Sequence, residues 1–380
     1  MVDAIGRTQQ AMAKQDYEAI VVAGASNVFY LTDFAVTPIA VNPILDALAH
    51  LYPIVVLVPV QGHLVIFADE SLKQYADDLN LQADLRYYPS GLFLEYAPGV
   101  SRPAIYADSL QACIVRYFTE TPPKYGKIGY DRAFSINPGL ELLEGLNISS
   151  VDHLLTMQRA CKTPEEIRRI RIASKVAYEA MDLAESLLND GTAWKEDDLF
   201  YEMRRHIFDS RCQWRFTTLS AGEYSADIYH QPTDYRLKTG DVVRLDLGPV
   251  YRGYCSDIAR TFFFKEIPTE YGKLYEVLSE AQRRMVAEMK SGVVLSDLFN
   301  LGYEYVCSHG YPSYQRGHLG HSIGVESTEA PLINPEYDCK AEEGMIFSIE
   351  VPYYIKDRAG FNMEDIVLVH KDSCEILRGD

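Results

Sequence analysis

Two aspartates, Asp246 and Asp257, stand eleven residues apart in a stretch that reads as two β-strands, residues 242–247 and 254–264, with Gly248, Pro249 and Gly253 between them. A hairpin closing symmetrically about Tyr251 and Arg252 would make the two carboxylates direct cross-strand partners. Their Cβ atoms would then lie roughly 4.5–5.5 Å apart, an arrangement in which opposed like charges destabilise a sheet. A cation between them removes that penalty, so the pair reads as half of a metal site. Three further residues suit the other half. His321 lies in the glycine-rich run Gly317-His318-Leu319-Gly320-His321-Ser322-Ile323-Gly324, where backbone can approach a bound group closely. Glu350 ends the apolar run from Met345, and Glu364 lies in the strand-like stretch 361–369. Their separation of fourteen is even, which is compatible with one sheet face, residues 355–360 serving as the connection. Four carboxylates and one imidazole make a hard donor set that favours Mn²⁺, Co²⁺, Fe²⁺ or Zn²⁺ over a thiolate-seeking metal. So much negative charge suits two divalent ions, and the donor set does not choose among these metals.

These residues must be positioned by a two-part chain of 380 residues. In the first part, helical and strand patterns alternate: a helix over 3–15, then strands over 19–23, 54–58, 63–67 and 127–131. That alternation predicts an α/β domain over 1–155. The second part, 156–380, opens on Thr163-Pro164-Glu165-Glu166, a threonine cap, a proline at the first helical position and a capping box. Ile167, Ile170, Ala173, Ala177 and Met181 continue it at helical spacing, and Gly191 supplies the stop. Two more helices are expected over 270–290 and 297–308, packed against an antiparallel sheet, which makes this domain α+β.

The order Asp246, Asp257, His321, Glu350, Glu364, in these local contexts, resembles the pita-bread metallopeptidase family of methionine aminopeptidase, aminopeptidase P, prolidase and creatinase. The resemblance runs from about Lys162 to the end, and more loosely over the first third, where residues 25–34 look like the family's N-terminal domain signature. It implies a creatinase/prolidase-like α/β domain followed by a pita-bread catalytic domain. It further implies that Asp246 chelates one metal, that His321 and Glu350 hold the other, and that Asp257 and Glu364 bridge both. His230 matches the family's substrate-pocket histidine, which suits a donor to a developing oxyanion. The resemblance makes manganese the expected ion and also implies a homodimer, with the N-terminal domain of one subunit closing the other's pocket.

The pattern departs from the family at two places. Thr328 stands where peptidases carry a second pocket histidine, and Asn362 where prolidase-like enzymes carry an arginine. A threonine hydroxyl donates a hydrogen bond but holds no charge at pH 7. Arg244, two residues before Asp246 and so on its face, is a compensating candidate: it would neutralise carboxylate charge or grip a substrate carboxylate. His318 reads as a structural or rim residue, since the family's extra histidine falls one position earlier, at Gly317.

A net charge of −18 argues against nucleic acid or an anionic membrane as partner. Seven scattered cysteines without C-x-x-C spacing, and a start without a signal-peptide pattern, point to a reduced, cytoplasmic setting. No apolar run approaches the roughly 18 residues that span a bilayer. The expected activity is hydrolysis of a C–N bond in a small peptide, as an Xaa-Pro dipeptidase or Xaa-Pro aminopeptidase, with Glu350 accepting the nucleophile's proton. The alternative is a non-peptidase hydrolase of a small amide, amidine or cyclic solute on the same fold. A binding protein without catalysis is the third reading, against which the intact ligand set argues.

Overall fold

A computed structural model describes residues 2–33, 54–80, 82–91, 94–124 and 126–379, and the chain divides into two compact units, Met1–Arg159 and Ala160–Asp380. In the first, the apolar stretches seen in the sequence become strands β1 (Tyr17–Val22), β2 (Val55–Pro59), β3 (Leu64–Asp69) and β5 (Lys127–Tyr130), and two strands the sequence reading did not mark join them, β4 (Ala83–Tyr88) and β6 (Ile148–Ser150). They form a mixed six-stranded sheet in the order β4-β3-β2-β1-β5-β6. β1 and β2 are buried along almost their whole length, as strands covered on both faces must be. Two apolar clusters divide the side chains of these strands between them, one around Ile20, Val56 and Ile66, the other around Val21, Leu57 and Phe67. Helices α1 (Val2–Ala13), α2 (Ala25–Thr32), α3 (Leu110–Glu120) and α4 (Asp152–Ala160) complete this α/β unit. The signature stretch 25–34 is largely α2, with Phe34 outside the described residues.

The second unit opens on helix α5 (Pro164–Asn189). The Thr163 hydroxyl accepts from the Glu166 amide at 3.3 Å and Glu166 Oε2 accepts from the Thr163 amide at 2.8 Å, so the capping box is complete. Helix α6 (Glu196–Asp209) follows, then strands β7 (Gln213–Ala221), β8 (Val242–Tyr251), β9 (Tyr254–Cys255) and β10 (Ile258–Phe263), with sheet order β10-β8-β7 and β9 on β8. Helices α7 (Thr269–Glu288) and α8 (Leu295–Ser308) lead into β11 (Gly320–Ser322), β12 (Glu329–Leu332), β13 (Ile346–Glu350), β14 (Tyr353–Ile355), β15 (Ala359–Phe361), β16 (Glu364–Val369) and β17 (Cys374–Ile376). The second sheet runs β12-β11-β13-β16-β17, antiparallel throughout, and β14 and β15 form a separate hairpin where a plain connection was expected. β10 meets the start of β16 through the Thr261 hydroxyl, which accepts from the Asn362 amide at 2.9 Å and donates to the Asn362 carbonyl at 3.0 Å. Arg260 donates to the Glu364 carbonyl at 2.6 Å and to Asp365 at 2.5 Å, tying the same two strands. All seven cysteines are free thiols, and among the described residues no helix is long and apolar enough to cross a membrane.

Candidate metal centre

The register of β8 against β9 and β10 corrects the expected hairpin by one residue. Tyr251 pairs with Tyr254 and Val250 with Cys255, so the turn is Arg252-Gly253, both with positive φ (46° and 81°). That is the backbone of a two-residue turn whose twist matches the strands, and glycine at its second position carries the left-handed conformation without strain. Asp246 therefore faces Ala259, not Asp257. Asp257 lies in the short break between β9 and β10, still near enough to act on Asp246 as a hydrogen-bond partner. The direct like-charge opposition falls instead on the glutamates: Glu350 of β13 pairs with Glu364 of β16. β11 adds His321 opposite Ser348, and this close approach needs glycine beforehand. Gly320 sits at φ +145°, and a Cβ there would be 2.3 Å from the Ser348 carbonyl oxygen.

One ligand atom from each of Asp257, His321 and Glu364 lies within 4.8 Å of the others. His321 Nε2 is 3.7 Å from Asp257 Oδ2 and 3.9 Å from Glu364 Oε1, while Nδ1 meets the Ser322 carbonyl at 3.1 Å. That contact takes the Nδ1 proton and leaves Nε2 as a lone-pair donor facing the carboxylates. Burial is the main reason the carboxyl groups resist ionisation, with mutual repulsion added. Asp246 is lifted to about 7, and Asp257 and Glu364 stand well above the ordinary carboxylate range. Burial also holds His321 below its ordinary value, in the neutral form that ligates. Asp246 Oδ1 is buried with no hydrogen-bond partner among the described residues. Crowded acids, a neutral imidazole and an orphaned oxygen are what a divalent cation would satisfy, so the donor set fits such an ion.

The polar groups around these five were only partly legible in the sequence. Asn362, 2 % exposed, donates from Nδ2 to Glu350 Oε2 at 3.4 Å and Glu364 Oε2 at 3.3 Å. A neutral amide thus spans the opposed glutamates. The Ser348 hydroxyl adds a bond to Glu364 Oε1 at 2.7 Å. His318, read from sequence as a rim or structural residue, has Nδ1 3.2 Å from Glu350 Oε1, and Arg316 Nη2 is 3.4 Å from the same oxygen. Both precede His321 in one turn-rich stretch, and that proximity in sequence was the available signal. Arg244 is 1 % exposed and its guanidinium is committed to the protein. It donates to the carbonyls of Ser225 (3.0 Å) and Asp227 (2.8 Å) and lies near the Ser220 (3.4 Å) and Thr218 (3.5 Å) hydroxyls. Its charge favours ionised Asp246, but no open fork remains for a substrate. Thr328 is exposed just before β12, at the surface. His230 stacks on Tyr224 (centroids 4.8 Å apart) and contacts Glu196 Oε2 through Nε2 at 2.9 Å. Glu196, fully buried in the first turn of α6, also accepts from the amides of Ala221 (2.8 Å) and Thr233 (3.1 Å). Nothing in the spacing marked Glu196, which is 34 residues upstream of the histidine it holds.

Comparison with known proteins bears on the fold and the family of this chain. An uncharacterized peptidase of Staphylococcus aureus strain MW2 is 29% identical over 246 residues, 62% of this chain and 68% of that protein. The Xaa-Pro dipeptidase from Bacillus anthracis has the same fold at a TM-score of 0.81 and 22% identity, covering 100% of this chain and 98% of that one. The prolidase from Pyrococcus horikoshii OT3 matches at 0.78 and 21%, covering 99% and 98%. These likenesses show the pita-bread fold. The sequence model of metallopeptidase family M24 matches residues 168–371, which hold all five acidic and imidazole groups. The chain belongs to metallopeptidase family M24, the metal-dependent peptidases.

Proposed function

We propose that this enzyme cleaves the peptide bond before proline in small peptides, as an Xaa-Pro dipeptidase or Xaa-Pro aminopeptidase. Asp246 would hold one divalent ion, His321 and Glu350 the other, with Asp257 and Glu364 shared between them. Ions bound there supply Lewis acidity that polarises a carbonyl and acidifies water near neutral pH. Glu350 takes the nucleophile's proton and returns it to the leaving nitrogen, a role supported by its place at the edge of the cluster beside His318. His230, oriented by Glu196, donates to the developing oxyanion. The observation that carries this reading is the opposition of Glu350 and Glu364 beside Asp257 and His321, a buried acid cluster that is costly without cations. Manganese, a homodimer and a cytoplasmic setting complete the proposal, supported by the family resemblance and by the free thiols.

The second reading, hydrolysis of a small non-peptide amide, amidine or cyclic solute, is favoured by exposed Thr328 and by Asn362. Metal content of protein purified without added ions, with turnover of Xaa-Pro dipeptides and tripeptides, separates the two. The peptidase reading expects bound metal and rates well above those of Asp246→Ala. Metal with a rate no higher than that variant on every peptide would favour the second reading.

A further inference from the structure

The acid cluster is divided between two sheets. Asp246 lies on β8 and Asp257 just before β10, whereas His321, Glu350 and Glu364 lie on β11, β13 and β16. Among the described residues no backbone ladder joins β10 to β16, so side-chain bonds must set the distance between them. One guanidinium spans that gap. Arg260 Nη1 donates to the Glu364 carbonyl at 2.6 Å and to the Ala259 carbonyl at 2.8 Å, while Nη2 donates to Asp365 Oδ1 at 2.5 Å. Ala259 is the cross-strand partner of Asp246, so Nη1 holds the backbone of one ligand and the backbone opposite another. Paired residues share a sheet face and side chains alternate along a strand. Arg260 and Asp365 therefore lie on the faces turned away from Asp246 and Glu364, and they act on the ligands through the backbone. What aims Arg260 is Asp365, a buried carboxylate with supports of its own. Tyr178 of α5 donates to its Oδ1 at 2.6 Å and Gln282 of α7 to its Oδ2 at 2.9 Å. The guanidinium also lies over the Tyr178 ring, 5.6 Å from the centroid. Groups from α5, α7 and β10 thus converge on one carboxylate directly behind Glu364. A well-packed apolar set of similar volume is often no less stable than such buried charges. What it would lack is a directional hold on the Glu364 carbonyl.

We propose that Asp365, backed by Tyr178 and Gln282, is a positioning residue of the metal centre: through Arg260 it fixes β10, and with it Asp257, against Glu364. Ions in paired centres sit roughly 3.5–4 Å apart, so carboxylates shared by both must keep a set spacing. The inference rests on the two-ion reading of the centre and on no particular substrate, and its test reads the ions apart from turnover. Ion-free protein is titrated with manganese, calorimetry giving affinity and electron paramagnetic resonance the spin coupling of neighbouring ions. Wild type is expected to take up a pair of ions with a coupled, multiline spectrum. Asp365→Asn keeps the side chain's shape but loses its charge on Arg260. Its affinity for at least one ion should fall roughly tenfold to a hundredfold, as when groups that orient a metal's ligands are removed, and the coupled spectrum should weaken at equal loading. Tyr178→Phe and Gln282→Met, each removing one donor from Asp365, should shift both readings the same way by less. Ser109→Ala removes the N-cap of α3 in the first unit and controls for lost stability; both readings should match wild type. Should Asp365→Asn misfold by circular dichroism, Tyr178→Phe and Gln282→Met carry the test. Wild-type affinities and coupling in the folded variants overturn the proposal, as does an equal loss in Ser109→Ala. If wild type binds a single ion, the two-ion reading fails; affinity for that ion that falls in the variants keeps the positioning role, and unchanged affinity overturns it. A coupled pair in wild type that is weakened in the variants, with no turnover of Xaa-Pro peptides, keeps the positioning role and refutes the proposed reaction instead.

Discussion

Stripping divalent ions with a chelator leaves the buried acids of this centre to be neutralised by protons alone, which ties folding stability to pH. Burial, with repulsion added, lifts the Asp246 carboxyl from 3.8 to about 7 and holds Asp257 and Glu364 raised as well. In the unfolded chain all three ionise near pH 4. Between roughly pH 4 and pH 7 the ion-free folded protein thus holds protons that the unfolded chain has released. The stability these groups contribute is complete below about pH 4 and is lost as pH rises through their folded values. For Asp246 the loss amounts to about 4 kcal/mol at most, on the order of 10 °C in melting temperature. His318 and His321 are held below their ordinary value by burial and act in the opposite sense, costing stability as pH falls below about 6.5. Comparison with Asp246→Asn isolates the carboxylate. Thermal unfolding in chelator should show the variant close to wild type at about pH 4 and progressively more stable than it up to about pH 7. Saturating manganese should reverse that order at pH 8, because the ion binds the deprotonated carboxylate. A difference between variant and wild type that stays constant from pH 5 to 8 would refute the claim that Asp246 is protonated in the ion-free protein.

Glu196→Gln should lower kcat about tenfold or more at unchanged metal content, and urea unfolding should show a loss of about 1–3 kcal/mol because a buried amide donor then faces the glutamine nitrogen; an unchanged kcat would separate His230 from catalysis. Gly320→Ala places a Cβ 2.3 Å from the Ser348 oxygen at φ +145°, so denaturant unfolding should show a loss of about 2–4 kcal/mol, with weakened metal affinity as His321 is displaced. Thr163→Ala breaks the capping box of α5 and should cost about 1 kcal/mol of stability with kcat/KM unchanged, measured by urea titration and peptide turnover.

Helices α5, α7 and α8 of the second unit were readable because their signals are local, whereas α6 (Glu196–Asp209) was not read from the sequence. Thr163 to Glu166 specify a start within four residues, and the observed helix begins at Pro164. Strands β1, β2, β3, β5, β8, β10, β13 and β16 were likewise visible as apolar runs, whereas β4, β6, β7, β12 and β17 were not read from the sequence. Strand register was not readable, since it depends on which residues of a turn take positive φ. Placing the turn at Tyr251-Arg252 instead of Arg252-Gly253 displaced the Asp246 partner from Ala259 to Asp257. The same limit applied in the opposite direction to Glu350 and Glu364, whose even spacing allowed a shared face but did not require them to be cross-strand partners.

From the chain alone came the candidate acids and the one candidate imidazole of the metal site, because the chemistry of a hard divalent ion restricts ligand type and strand periodicity restricts their spacing. Only the tertiary structure decided which neighbours those groups acquired. It assigned Asn362 to span the two glutamates, Arg316 and His318 to flank Glu350, and Glu196 to hold His230. It also withdrew Arg244 onto the backbone of Ser225 and Asp227. These partnerships join residues distant in sequence through the packing of separate strands and helices, and no local pattern of types or spacing encodes a long side chain's choice among competing buried acceptors.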